Sequence, residues 1–235
     1  MVGFRKGSSI VQNLDSYPSL AIRKIRVLSD GGLSVVANVF PHASHISPEY
    51  RHAFFGHRPS TLWLTGLSGA GKSTIAYALE RLLLEKGQAC CVLDGDNMRN
   101  HLSSDLGFTD RDRKENIRRT AEVARLMNDA GMLVITALIS PYREDRAMAR
   151  ALIGADKFVE VHVSTTREVC EARDPKGLYA KARAGKIASF TGVSSPYESP
   201  LSAQITINTG MLALEDATAV LFNHLADDFF HPKVA

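Results

Sequence analysis

From Thr61 onward, short apolar runs alternate with longer stretches of helical period. Residues 61–65 (Thr-Leu-Trp-Leu-Thr) are apolar and β-prone, as a strand buried on both faces should be. Ile75, Leu79 and Leu82 then recur at helical spacing, and Gly87 stops that helix. Residues 89–94 read as a second buried strand that ends in a carboxylate. Residues 110–130 read as a long helix with Ile117, Ala121, Ala124 and Met127 on one face and Gly131 as its stop. Strands at 132–138, 158–163 and 204–208 alternate with helices at 142–153, 166–173 and 213–225. The pattern predicts an α/β fold of three layers, a mostly parallel sheet with helices on both faces. Residues 174–198 are polar and rich in Gly, Lys, Ser and Pro, and read as a mobile loop or lid.

The start of the chain is different. Residues 1–37 show little periodicity beyond Leu33–Val36, which fits a short strand, and read as a partly ordered extension of a domain spanning 38–235. Ser47-Pro48-Glu49 reads as a helix start. His42, His45, His52 and His57 match no tight ligand spacing and read as surface histidines.

Between the first core strand and its helix lies Gly66-Leu67-Ser68-Gly69-Ala70-Gly71-Lys72-Ser73-Thr74, which fits G-x-x-x-x-G-K-[ST]. Its glycines let the backbone bend around an anion and point N–H groups inward. Lys72 places a cation near the β- and γ-phosphates of a nucleotide, and Ser73 offers a hydroxyl to Mg²⁺. Strand, glycine loop, helix is the order that a phosphate loop requires, so a P-loop NTPase-like fold is expected. In such sheets ligands bind beyond the C-terminal strand ends. That brings Asp94, Asp96, Ser140 and Arg173 toward the loop. Cations on phosphates, a carboxylate for Mg²⁺ or for the acceptor proton, and a closing lid are the parts of phosphoryl transfer. Spacing does not separate the base, metal and helix-capping roles of Asp94 and Asp96.

Composition narrows the partners. With 45% hydrophobic and 23% charged residues, the chain matches soluble globular proteins. No apolar run approaches the roughly 18–20 residues that span a membrane, and the first residues fit neither a secretory signal nor an Arg/Ser-rich transit peptide. The net charge is +3, and residues 1–37 carry five basic against two acidic residues, which accounts for all of it. The remainder is balanced and offers no basic surface for nucleic acid. Cys90, Cys91 and Cys170 form no framework spacing and read as buried thiols in a reducing, cytoplasmic compartment.

Several blocks resemble the adenylylsulfate kinase (APS kinase) family, in order and with family-like spacing from about Asn38 to Leu225. They include the phosphate loop, Leu93-Asp94-Gly95-Asp96-Asn97 with Arg99, Asp105-Leu106-Gly107-Phe108 and Asp112-Arg113-Lys114-Glu115-Asn116-Ile117-Arg118-Arg119. Further on come Ile139-Ser140-Pro141, Arg173-Asp174-Pro175-Lys176-Gly177-Leu178-Tyr179 and Phe190-Thr191-Gly192. The resemblance implies transfer from MgATP to the 3′-hydroxyl of adenosine 5′-phosphosulfate (APS), giving PAPS and ADP in sulfate assimilation. It implies an APS site formed by Asp96, Arg99, Phe108, Arg113, Asn116 and Ile139, with Ser140 beside it. Phe190 would stack on the APS adenine, Lys176 would close over the phosphates, and Arg173 would lie near the ATP adenine. Lys72, Asp94, Asp96 and Lys176 are the implied catalytic set. Gly66, Ser68, Gly69, Ala70, Gly71, Ser73 and Thr74 hold ATP with Lys72, and Ser73 with Asp94 holds Mg²⁺. Ser140 matches a position linked to a phosphoserine form in bacterial members; a substrate-loop serine without covalent role is the preferred reading, since in-line transfer needs no enzyme nucleophile. Asn100-His101-Leu102 replaces the family's usual His-Gly-Leu, and Lys186 stands where relatives are commonly acidic. The family is commonly dimeric, and APS would come from a separate ATP sulfurylase. Another small-molecule kinase, or a nucleotide-regulated binding protein, are the competing readings.

Overall fold

The computed structural model describes residues 25–27, 33–35 and 42–230, which fall into two compact units divided between His45 and Ile46. In the first, β1 (Ile25–Val27) pairs antiparallel with β2 (Leu33–Val35). The order of the rest of residues 1–37 lies outside the described residues.

The second unit opens with α1 (Pro48–Phe55), capped as expected: the Ser47 hydroxyl accepts from the Tyr50 N–H at 3.2 Å, with Pro48 in the first turn. Then follow β3 (Thr61–Thr65), α2 (Lys72–Glu85), β4 (Cys90–Asp94), α3 (Gly95–Asn100), α4 (Asp110–Asp129) and β5 (Leu133–Ala137). The chain continues through α5 (Arg143–Ile153), β6 (Phe158–Val163), α6 (Arg167–Arg173), α7 (Leu178–Arg183), β7 (Ile205–Ile207) and α8 (Leu214–Phe229). The five core strands are all parallel, in the order β4-β5-β3-β6-β7.

Strand alternation sorts the core into two layers. Leu62 and Leu64 of β3 and Ile135 of β5 pack with Ile75, Leu79 and Leu83 of α2 and Leu221 of α8. Trp63 and Val134 point the other way, against Ile117 and Ala121 of α4 and Ala149 of α5. Helices therefore cover both faces. On α2 the buried line runs Ile75, Leu79, Leu83, in steps of four, and Leu82 is only partly buried.

Two expectations are corrected. His57 is fully buried rather than on the surface: its ring nitrogens meet Gln88 Oε1 at 2.6 Å and the Gly131 carbonyl at 2.9 Å. Its polar atoms are satisfied inside, which makes burial affordable. The polar stretch 174–198 is not all loop, for it contains α7. Both carboxylate oxygens of Asp174 accept N–H groups at its start, from Tyr179 and Ala180 at 3.0 Å each, and the Tyr179 side chain is buried against the core. A helix this short buries too few residues to show a period. Cys90 and Cys170 are buried, whereas Cys91 is half-buried; all three are free thiols.

Candidate active site

The C-terminal ends of β3, β4 and β5 open into one cavity of about 1230 Å³, larger than the usual pocket for one small ligand. Its floor is the phosphate loop. Two of the loop's glycines are obligatory: a Cβ on Gly66 (φ +154°) would lie 2.5 Å from the Val163 carbonyl, and one on Gly69 (φ +76°) 2.8 Å from that of Cys170. Gly66 and Ala70 do not line the cavity. They support the loop from behind, where the Ala70 carbonyl accepts from Thr165 at 3.2 Å and from Thr209 at 2.8 Å. Ser68, Gly69, Gly71, Lys72, Ser73 and Thr74 face the cavity.

Lys72 is buried and donates to the carbonyls of Gly66 at 2.9 Å and Leu67 at 2.8 Å. Burial pushes its ammonium down from 10.5 to about 8. A polyanion on the loop would reverse that pressure. One residue on, the Ser73 hydroxyl donates to Asp94 Oδ2 at 2.6 Å. Asp94, at the buried end of β4, also caps α3, its Oδ1 accepting the Asp96 N–H at 2.9 Å. Asp96 points out into the cavity and forms an ion pair with Lys176, both side chains more than half exposed. Arg173 donates to the Thr209 hydroxyl at 2.8 Å and the Thr209 carbonyl at 2.7 Å, beside Gly69.

The far side of the cavity is built by α3, α4 and the segment after α7. The Arg99 guanidinium lies 4.6 Å from the centroid of the exposed Phe108 ring and donates to the Gly107 carbonyl at 2.6 Å. Burial and neighbouring Arg113 push Arg99 below its ordinary value. Arg113 donates to the Phe108 carbonyl at 2.9 Å, the Thr191 hydroxyl at 2.7 Å and the Ser189 carbonyl at 2.6 Å. It thereby ties α4 to the segment that carries Phe190. Phe190 is 6% exposed and meets Tyr179 edge-on at 4.9 Å, while still lining the cavity. Asn116 is 3% exposed, lines the cavity, and its Oδ1 has no hydrogen-bond partner. A buried acceptor without a partner is rare and points to a ligand donor.

Ile139 and Ser140 close the cavity at the end of β5. The Ser140 hydroxyl accepts from the buried Trp63 indole N–H at 3.1 Å. Every residue anticipated from the sequence except Gly66 and Ala70 thus lines the same space. The sequence did not single out Thr165 and Thr209, nor Leu212 and Leu214, which line the cavity. Each of the threonines follows a strand end, and the rule that ligands gather there is the signal that would have found them. Among the described residues no group of three or more His, Cys, Asp or Glu side chains is placed to hold a metal ion.

Comparison with known proteins gives a consistent likeness. The family model described as Adenylylsulphate kinase matches residues 58–208. A protein named adenylyl-sulfate kinase from Shewanella amazonensis is 53% identical over 191 residues, covering 81% of this chain and 96% of that protein. One of the same name from Klebsiella pneumoniae is 56% identical over 171 residues, covering 73% of this chain and 85% of that one. Among solved structures, the Mycobacterium tuberculosis APS kinase CysC in complex with AMPPNP and APS shares 48% identity at a TM-score of 0.68, over 71% of this chain and 96% of that chain.

Proposed function

The chain belongs to the adenylylsulfate kinase family, and we propose that it moves the γ-phosphoryl group of ATP to the 3′-hydroxyl of APS, releasing PAPS and ADP. One observation carries the reading at residue level. A single cavity is lined by the phosphate loop, by Arg99, Phe108, Arg113 and Asn116, and by Asp96. Two nucleotides can then meet with their reacting groups facing.

The loop N–H groups and Lys72 would cradle the ATP phosphates, and Arg173 with Thr209 would flank the donor base. Ser73 Oγ and Asp94 Oδ2 are hard oxygens 2.6 Å apart, a donor set that fits Mg²⁺. When bound there, the ion would neutralise phosphate charge. Asp94 is buried and already accepts two hydrogen bonds, whereas Asp96 is open to the cavity. This difference supports a division of labour, with Asp94 on the metal side and Asp96 as acceptor of the hydroxyl proton. The 3′-oxygen attacks the γ-phosphorus, the bond to the ADP oxygen breaks, and the proton passes to Asp96. Lys176 would leave its ion pair to meet the phosphates. Arg99 can offer a planar fork to the phosphosulfate, Arg113 the N–H groups left over from its contacts to Phe108, Thr191 and Ser189, and Asn116 Oδ1 can accept from a hydroxyl or amino group of the nucleotide. Phe190, which lines the cavity, offers an aromatic ring for the adenine.

A homodimer, supply of APS by a separate ATP sulfurylase and a cytoplasmic setting belong to the same proposal. Three free cysteines suit a reducing compartment, and no helix among the described residues is long and apolar enough to cross a membrane. The test is ADP formation from MgATP with APS and with a panel of nucleoside monophosphates. Dependence on APS is expected. Turnover only with another acceptor overturns the reading.

A further inference from the structure

Ser140 sits at φ +39°, a left-handed conformation that a residue with a Cβ rarely adopts. Such strain persists only where the surroundings over-determine it. Here the Ser140 carbonyl accepts from Arg146 Nη1 at 2.7 Å and from the Thr65 hydroxyl at 3.3 Å, and that hydroxyl also donates to the Ile139 carbonyl at 2.7 Å. The same two side chains grip the stretch that returns from Phe190. Arg146 Nη2 donates to the Glu198 carbonyl at 2.8 Å, and the Tyr197 hydroxyl meets the Thr65 hydroxyl at 3.1 Å. The Glu198 N–H donates to the Pro141 carbonyl at 2.9 Å, and its carboxylate accepts the first N–H of α5, from Arg143, at 2.9 Å.

Arg146 is 2% exposed, and its Nε donates to Glu160 Oε1 at 2.6 Å. One planar guanidinium therefore spans three acceptors on β6, on the Ile139–Ser140 loop and on the stretch after Phe190. A lysine ammonium has no such fork. Neither Arg146 nor Tyr197 lines the cavity; both act from behind its wall.

We propose that Arg146, seconded by Tyr197, is a positioning residue for the acceptor site, holding the Ile139–Ser140 loop at a fixed separation from the segment that carries Phe190. These are two of the walls between which the acceptor nucleotide is held, so the inference rests on the function proposed above. A loosened bolt moves the acceptor walls and leaves the phosphate loop in place.

The test compares Tyr197→Phe and Arg146→Lys with the unaltered chain. Tyr197→Phe keeps the ring that stacks on His162 at 6.1 Å and removes only the hydroxyl. Arg146→Lys keeps a cation for Glu160 and loses the fork. In Tyr197→Phe the KM for APS should rise roughly three- to tenfold, the loss of one hydrogen bond, and more in Arg146→Lys. The KM for ATP, and the rate of any ATP hydrolysis without APS, should stay unchanged. Equal shifts in both KM values, or none in folded Tyr197→Phe, would overturn the inference. If Arg146→Lys does not fold, Tyr197→Phe decides alone. If the unaltered chain does not use APS at all, the functional reading fails first, and that result is distinct from either outcome.

Discussion

Ser140→Ala separates a structural serine from a covalent one. The substitution removes the acceptor for the Trp63 indole N–H, and Trp63 is fully buried. A buried donor left without a partner costs about 1–3 kcal/mol. For a domain of this size each kcal/mol lowers the melting midpoint by roughly 2–4 °C, so Ser140→Ala should melt about 2–12 °C below the unaltered chain. Ser140→Gly loses the same hydroxyl but relieves the backbone at φ +39°, a gain of about 1 kcal/mol. It should therefore melt above Ser140→Ala. Calorimetry on the three proteins gives the stability side. Steady-state rates at saturating ATP and APS give the chemistry. With in-line transfer, kcat of Ser140→Ala stays within about tenfold; passage through a phosphoserine predicts a loss of several orders of magnitude. A folded Ser140→Ala chain that binds both substrates and turns neither over would refute direct transfer. An unchanged melting midpoint would refute the role given to the Trp63 contact.

Lys72→Ala should lower turnover by about three orders of magnitude or more while the chain stays folded, because its charge acts on the transferring phosphoryl group; circular dichroism and a rate assay check both halves. The Lys72 ammonium titrates at about 8 in the free protein, so its charged form is lost as pH rises through that value. kcat/KM for ATP should fall above about pH 8 while kcat stays flat, since bound phosphates restore the charge; a flat kcat/KM up to pH 9.5 contradicts this. Phe190→Ala should weaken APS much more than ATP, by roughly 1–3 kcal/mol if the ring stacks on the adenine. Equal weakening of the two substrates in equilibrium titrations would show that the ring packs its own segment rather than the base.

The phosphate loop was legible because its motif encodes backbone demands. Gly66 and Gly69 have no room for a Cβ, and a sequence records that as glycine. The core strands were legible because both of their faces are buried. The face of α2 was legible only in part, for Leu82, Leu83 and Leu84 stand in a row and periodicity cannot choose among them; packing chose Leu83. Residues whose burial depends on distant partners were not legible. His57 is satisfied by Gln88 and Gly131, and Arg146 by Ser140, Glu160 and Glu198, all of which only the fold brings near. An arginine in an amphipathic helix reads as solvated until its acceptors are in place. Thr165 and Thr209 carry no motif, and their value lies in closing the back of the phosphate loop.

The most direct test of the central claim is the identity of the product, read by ³¹P NMR after incubation of the purified chain with MgATP and APS. The account predicts ADP and, in equal amount, a new phosphomonoester on the 3′-oxygen of an intact phosphosulfate. ADP accompanied only by inorganic phosphate, or a phosphoryl group on any other oxygen, would contradict it.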